Sequence, residues 1–172
     1  CFIHNNYDFN WTDGEAACKR GIEFDPNNAK AHFAYAYLLA RMDRWDELAQ
    51  QMELAMKLDP AEPWWPSVYG SFLIQADRFN EAEKNIQRSI AIDPNWSRGV
   101  GKLIDLYVET GRHDEAIDLL RSQGPSDALA LAYIYARKGD RVKAIELLNS
   151  APKEDLYALA KVYAAIDDYD KA

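Results

Sequence analysis

The stretch AKAHFAYAYLLARMDRWDELAQQMELAMKLDPAE, residues 29–62, decides the fold. Its first half, Lys30 to Arg41, is apolar almost all the way round through Phe33, Ala34, Tyr35, Ala36, Tyr37, Leu38 and Leu39, as a helix covered on two sides must be. Met42-Asp43 interrupts it. From Arg44 to Leu58 the residues Trp45, Leu48, Ala49, Met52, Ala55 and Met56 return at helical spacing. Asp59-Pro60 closes the second helix, because a residue before proline is pushed out of the helical backbone region. The stretch is two helices joined by a tight turn.

The same punctuation recurs along the chain. Asp25-Pro26, Asp59-Pro60 and Asp93-Pro94 set prolines at 26, 60 and 94, a strict interval of 34. A unit that short has too few apolar positions to bury a core alone and must stack on its neighbours. A second pair is expected at 64–76 and 78–92, with Pro63 and Pro66 tolerated in a first turn where no amide donor is needed. A third unit starts at Ser97 and turns at Thr110-Gly111-Arg112. The turn positions Asp43, Asp77, Gly111, Gly139 and Asp167 then step by 34, 34, 28 and 28. Ala116 to Ala128 is 12 residues against 18 from Ala82 to Val100, which places the deletion in the second helix and its exit loop. The expected division is an irregular 1–10, then an array over 11–172 made of 11–28 (partial), 29–62, 63–96, 97–124, 125–151 and 152–172 (partial). About eleven helices follow from that division.

These residues resemble the tetratricopeptide repeat, whose pattern runs W-x2-L-G-x2-Y, A-x3-F, then P. One series is Tyr69-Gly70, Leu73, Ala82, Ile86 and Pro94; another is Tyr35-Ala36, Leu39, Leu48, Met52, Ala55 and Pro60. Leu103-Ile104, Tyr107, Ala116, Leu120 and Leu131-Ala132, Tyr135, Ala144, Leu148 continue it, and Leu159-Ala160, Tyr163 and Ala172 start a last copy. The resemblance implies an all-α, right-handed superhelix of antiparallel helix pairs. Gly70 is expected to face Ala82 at a close crossing, since only small side chains let helices approach to about 8–10 Å. Leu48, and Ile104 with Gln123, depart from the small-residue pattern, and the helix pair of the Ser97 unit is expected to splay slightly. Tyr7-Asp8-Phe9-Asn10-Trp11 with Phe24-Asp25-Pro26-Asn27 is similar, more narrowly, to repeat arrays in bacterial signalling and regulatory proteins.

Composition sets outer limits. Of 172 residues, 48% are hydrophobic and 28% charged, a folded chain rather than a disordered one. A formal net charge of −8 argues against nucleic acid, which selects a basic face. No run approaches the ~20 apolar residues of a membrane span. The cytoplasm is the expected compartment, with the periplasm as the alternative. Cys1 and Cys18 are expected to stay thiols, and both ends read as cut from a longer chain.

Catalysis requires a nucleophile, a base and an orienting group. Only His4, His32 and His113 are available, and His113 stands where Trp45 and Phe79 pack in other units. No phosphate loop, zinc spacing or serine elbow is present, and Asp167-Asp168-Tyr169-Asp170 lacks the glycine and distal glutamate of a calcium loop. The reading is a non-catalytic chain with no cofactor and no metal.

The resemblance implies that the first helix of each unit lines an inner groove. Its positions yield Lys30, Phe33, Tyr37, Arg41, Trp64, Ser67, Ser71, Arg98, Lys102, Tyr133, Arg137, Tyr157 and Lys161, with Val108 and the anions Asp105 and Glu109 among them. Six cations against two anions is a bias opposite to the chain's net charge, and aromatic and arginine side chains tend to dominate binding energy. The expected function is a scaffold binding an extended or helical segment of a partner protein, of acidic-aromatic or acidic-apolar character. The alternatives are a regulatory segment covered by its own parent chain and a sensor of a small acidic ligand at Arg98 and Lys102.

Overall fold

The computed structural model describes residues 11–124, 127–152 and 154–169. They form ten helices: α1 (Trp11–Phe24), α2 (Ala29–Arg41), α3 (Trp45–Leu58), α4 (Trp64–Gln75), α5 (Phe79–Ile92), α6 (Ser97–Glu109), α7 (His113–Ser122), α8 (Ala128–Lys138), α9 (Arg141–Ser150) and α10 (Leu156–Tyr169). No strand occurs among the described residues. The expected irregular segment 1–10 lies outside them, and so does most of the segment on which an eleventh helix was expected. No described helix is long and apolar enough to cross a membrane. The chain divides into two compact units, Cys1–Gly99 and Val100–Ala172, with the boundary inside α6.

In the first unit α2 packs on α3 and α4 on α5, with α1 on α2 and α3 on α4. The pairs are held by their turns. Asp43 and Asp77 take left-handed backbone at φ 55° and 56°. That geometry lets the Arg44 amide donate to the Leu39 carbonyl (3.0 Å) and the Arg78 amide to Leu73 (2.8 Å), satisfying helix-end acceptors. Gly111 and Gly139 do the same at φ 75° and 90° without a Cβ to strain. Immediately after the first three of these turns Arg44, Arg78 and Arg112 fork onto Glu47, Glu81 and Glu115 at 2.5–2.8 Å. These bidentate clamps recur at the 34-residue interval and pin the first turn of α3, α5 and α7. Sequence reading missed them, although Arg-x-x-Glu repeats in plain view.

Gly70 sits at a close crossing of α4 and α5. A Cβ there would lie 2.5 Å from Ile86 Cγ1 and 3.2 Å from the Ala82 carbonyl, so Ile86 rather than Ala82 is the tighter neighbour. The core of this unit centres on Leu38, Leu39, Leu48, Met52 and Ile86, all fully buried. Glu15 joins α1 to it: its carboxylate accepts the Tyr35 hydroxyl at 2.8 Å and Arg44 at 3.0 Å, and pairs with Lys19 at 2.9 Å. Those hydrogen bonds, led by Lys19 and then Arg44, hold its pKa at about 2. His32 is buried, donating from Nε2 to the Pro26 carbonyl (2.9 Å) and meeting Gln51 Oε1 (2.8 Å), a packing role. Cys18 corrects the thiol expectation: it is buried and disulfide-bonded.

In the second unit α8 packs on α9 and on α7, and α10 on α8 and α9 around Leu106, Ile134 and Val162. The second helices shorten from 14 residues in α3 and α5 to 10 in α7 and α9. That accounts for only part of the six-residue contraction. α8 has 11 residues against 13 in α2 and α6, so the following first helix also loses length at its start, where only the exit loop had been expected to give way. Asp127 compensates by capping α8, its carboxylate accepting from the Leu129 and Ala130 amides.

Candidate binding surfaces

The candidate site is built from first helices, and each unit supplies its own surface. In the first unit the α2 and α4 side chains form an aromatic series. Phe33 lies 5.5 Å from the Trp65 ring centroid and 6.4 Å from Tyr37, and Tyr37 meets Phe72 edge-on at 6.3 Å. A cavity of about 570 Å³ opens beside them, lined by Lys30, Phe33, Ala34, Asp59, Glu62, Trp64 and Trp65. Pro63 at the N-cap of α4 has no side-chain hydrogen bond to give, and the Glu62 carboxylate supplies one by accepting the Trp64 amide at 3.0 Å. Trp64 stands edge-on to Trp96 at 6.5 Å, with the Arg98 guanidinium 5.9 Å from its ring, a cation–π contact.

In the second unit the surface comes from α6, α7, α8 and α10. A cavity of about 280 Å³ is lined by the apolar Ile104, Leu120, Leu129 and Ile134 and by Asp105, Tyr133, Tyr157 and Lys161. Ile104, which stands at a small-residue position of the repeat, lines this cavity with Leu120. The Lys161 ammonium lies 4.4 Å from the Tyr133 ring centroid and 3.8 Å from the Asp105 carboxylate. Arg137 lies 3.8 Å from Glu109. Tyr157 is 76% exposed, an aromatic ring offered to solvent.

The expected residues therefore divide by environment. Lys30, Phe33, Trp64, Tyr133, Tyr157 and Lys161 line the two cavities. Ser71 is half-buried, its hydroxyl donating to the Ser67 carbonyl at 3.3 Å. Two expectations are corrected: Ser67 is 3% and Val108 2% exposed, because their helices are covered there, and neither can touch a partner. Arg98 and Lys102 stand one turn apart on α6, but the unit boundary passes between them. The cationic bias is also weaker than the sequence list suggested. Asp105 and Glu109 offset Lys161 and Arg137, and the exit-loop acids Asp59 and Glu62 face the same cavity as Lys30. Trp65, Phe72 and Trp96 belong to the aromatic series and were not anticipated; the Trp-Trp and Asn-Trp dipeptides that open α4 and precede α6 were the available signal. His113 has its pKa lowered by burial and then by the neighbouring Arg137 and Lys138, all of which favour the neutral ring.

Residues 17–51 match the family model for the tetratricopeptide repeat. Solved structures of this repeat class align over nearly the whole chain. The fold is that of a tetratricopeptide-repeat array. MamA is 18% identical, covering 96% of this chain and 94% of its own, with a TM-score of 0.62. PilF of Pseudomonas aeruginosa is 19% identical over 94% of this chain and 82% of its own, at 0.65. YrrB, described as a TPR protein with an unusual peptide-binding site, is 19% identical over 90% and 82%, at 0.63. At such identities the likeness of this chain to each is one of fold. Comparison with curated proteins gives no match.

Proposed function

We propose that the chain is a non-catalytic scaffold that binds an extended or helical segment of another protein on the surfaces lined by its first helices. The observation that carries this reading is the same in both units: apolar and aromatic cavities where first helices meet, at Phe33 and Trp64 and again at Tyr133 and Tyr157. A cavity of this kind accepts a large apolar side chain and excludes water around it, the arrangement that concentrates binding energy. Lys30, Arg41 and Lys102 make no ion pair with any described residue and can supply selectivity for acidic groups, Lys30 directly at the first cavity. Arg98 adds a guanidinium already seated on Trp64. Exposed pairs of this type are weak and salt-screened, so the aromatic contacts contribute more affinity than the cations.

The test is site-specific photocrosslinking in extract of the cells that make the protein. A photoreactive phenylalanine analogue at Lys30 or Tyr157 is expected to capture the same protein, and at the exposed second-helix residue Gln87 to capture none. Equal capture from Gln87 would remove the first helices as the binding surface.

A further inference from the structure

The three Asp-Pro exits differ at the two positions after the proline. Asn27-Asn28 follow Asp25-Pro26, Asn95-Trp96 follow Asp93-Pro94, and Ala61-Glu62 follow Asp59-Pro60. In the first and last of these loops the aspartate is held by its own loop. Asp25 accepts the Asn27 amide at 3.2 Å and the Asn28 side-chain amide at 3.4 Å, and Asp93 accepts the Asn95 amide at 3.0 Å. The Asp59 carboxylate accepts from no described group and pairs with no described cation. Glu62 adds a second carboxylate where the other loops have Asn28 and Trp96, with Oε1 engaged by the Trp64 amide at 3.0 Å. Both acids line the cavity of about 570 Å³ together with Phe33, Trp64 and Trp65.

Burial separates these acids from Lys30, the cation among the lining residues. Asp59 and Glu62 are half-buried, whereas Lys30 is exposed and makes no ion pair with either. Water and salt screen the lysine more than they screen half-buried carboxylates, so the cavity favours positive charge. Trp64 already accepts a guanidinium, that of Arg98 at 5.9 Å from its ring. The first helices that supply the walls are both packed within the unit, α2 by α1 and α3, and α4 by α3 and α5. We propose that this cavity seats an arginine side chain of the partner segment, its guanidinium between the aromatic rings and the carboxylates of Asp59 and Glu62. The inference rests on the scaffold reading above and narrows it to one anchor. A planar guanidinium presents a fork of donors to a carboxylate and its face to an aromatic ring, and it is more weakly hydrated than an ammonium. Acidic groups of the segment are left for the exposed Lys30. The segment is therefore of mixed charge, an arginine flanked by acids, where the sequence pattern alone suggested acids.

The probe is N-acetyl-arginine amide, titrated at low salt into the isotope-labelled full chain. N-acetyl-citrulline amide serves as its uncharged isostere and N-acetyl-glutamate amide as the opposite charge. Saturable shifts of the Trp64 and Trp65 signals are expected with the arginine probe, at an affinity about fivefold or more above citrulline, and no saturation with glutamate. Asp59→Asn combined with Glu62→Gln should remove the preference for arginine over citrulline. Each substitution keeps the side-chain shape and an amide oxygen while losing the charge, and a wild-type spectrum away from the cavity will show the fold intact. Lys30→Gln should leave arginine binding unchanged or strengthen it. Five results would overturn the proposal: no saturable shift with the arginine probe, equal affinity for citrulline, saturation by the glutamate probe instead, shifts confined to Tyr133 and Tyr157, or an arginine preference that survives the double substitution. None of these removes the scaffold reading, which fails separately on equal crosslinking from Gln87.

Discussion

The two compact units solve one packing problem with different parts. In the first, second helices of 14 residues follow turns that force aspartate into left-handed backbone, and tryptophans fill the spaces between first helices. In the second, helices of 10 residues follow Gly111 and Gly139, and tyrosines take the aromatic places. The small residue at the crossing is common to both, with Ala36, Ala82, Ala116, Ala132 and Ala144 all at 0% exposure. Buried small residues at these repeat positions are what the two units share, whereas helix length, turn residue and aromatic type vary around them. A 34-residue unit and a 28-residue unit stack by the same rule because the contraction removes residues away from the crossing.

That comparison can be broken most directly at the crossing itself. Gly70→Leu drives a side chain into Ile86 and is expected to destabilise by about 1–3 kcal/mol, read as a lower denaturation midpoint in urea. An unchanged midpoint would mean that a small residue at this crossing is not required. A smaller effect is expected from pH in the first unit. Glu15 is depressed to about 2 by Lys19, Arg44 and Tyr35, so its contribution is complete above the ordinary carboxylate range and is lost as pH falls through about 2. The stability gap between wild type and Glu15→Gln should be constant above about pH 5 and close progressively in acid. A gap that persists at the acid end would assign the effect to packing rather than charge. The smallest change is at the turns. Asp77→Gly removes left-handed strain that the second unit avoids, and a gain of up to about 1 kcal/mol is expected in thermal melts, part of the relief being offset by glycine's freedom in the unfolded chain. A loss would show that the Asp77 side chain stabilises its turn by more than its backbone costs.

The helices were legible because three signals agreed: a 3.6-residue apolar period, proline exits at 34-residue spacing and small residues at matching places. Helix lengths in the second unit were less so, since the contraction is shared between α7 or α9 and the start of the next first helix. Of the candidate surface, the first-helix aromatics Phe33, Trp64, Tyr133 and Tyr157 could be read from their repeat positions. Ser67 and Val108 could not, because a helix covered on two sides offers no periodicity to separate groove from core. The acids at Asp59 and Glu62 were missed for a different reason. They belong to an exit loop, and only the fold brings that loop back against the first helix of its own unit.

The claim that first helices carry binding is tested most directly by selecting a random displayed-peptide library on the chain and mapping a selected peptide by amide shifts. Saturable shifts at Lys30, Phe33 and Trp64, or at Tyr133 and Tyr157, with α3, α5 and α9 unperturbed, are the predicted result. Shifts centred on those second helices, with the first helices silent, would contradict it.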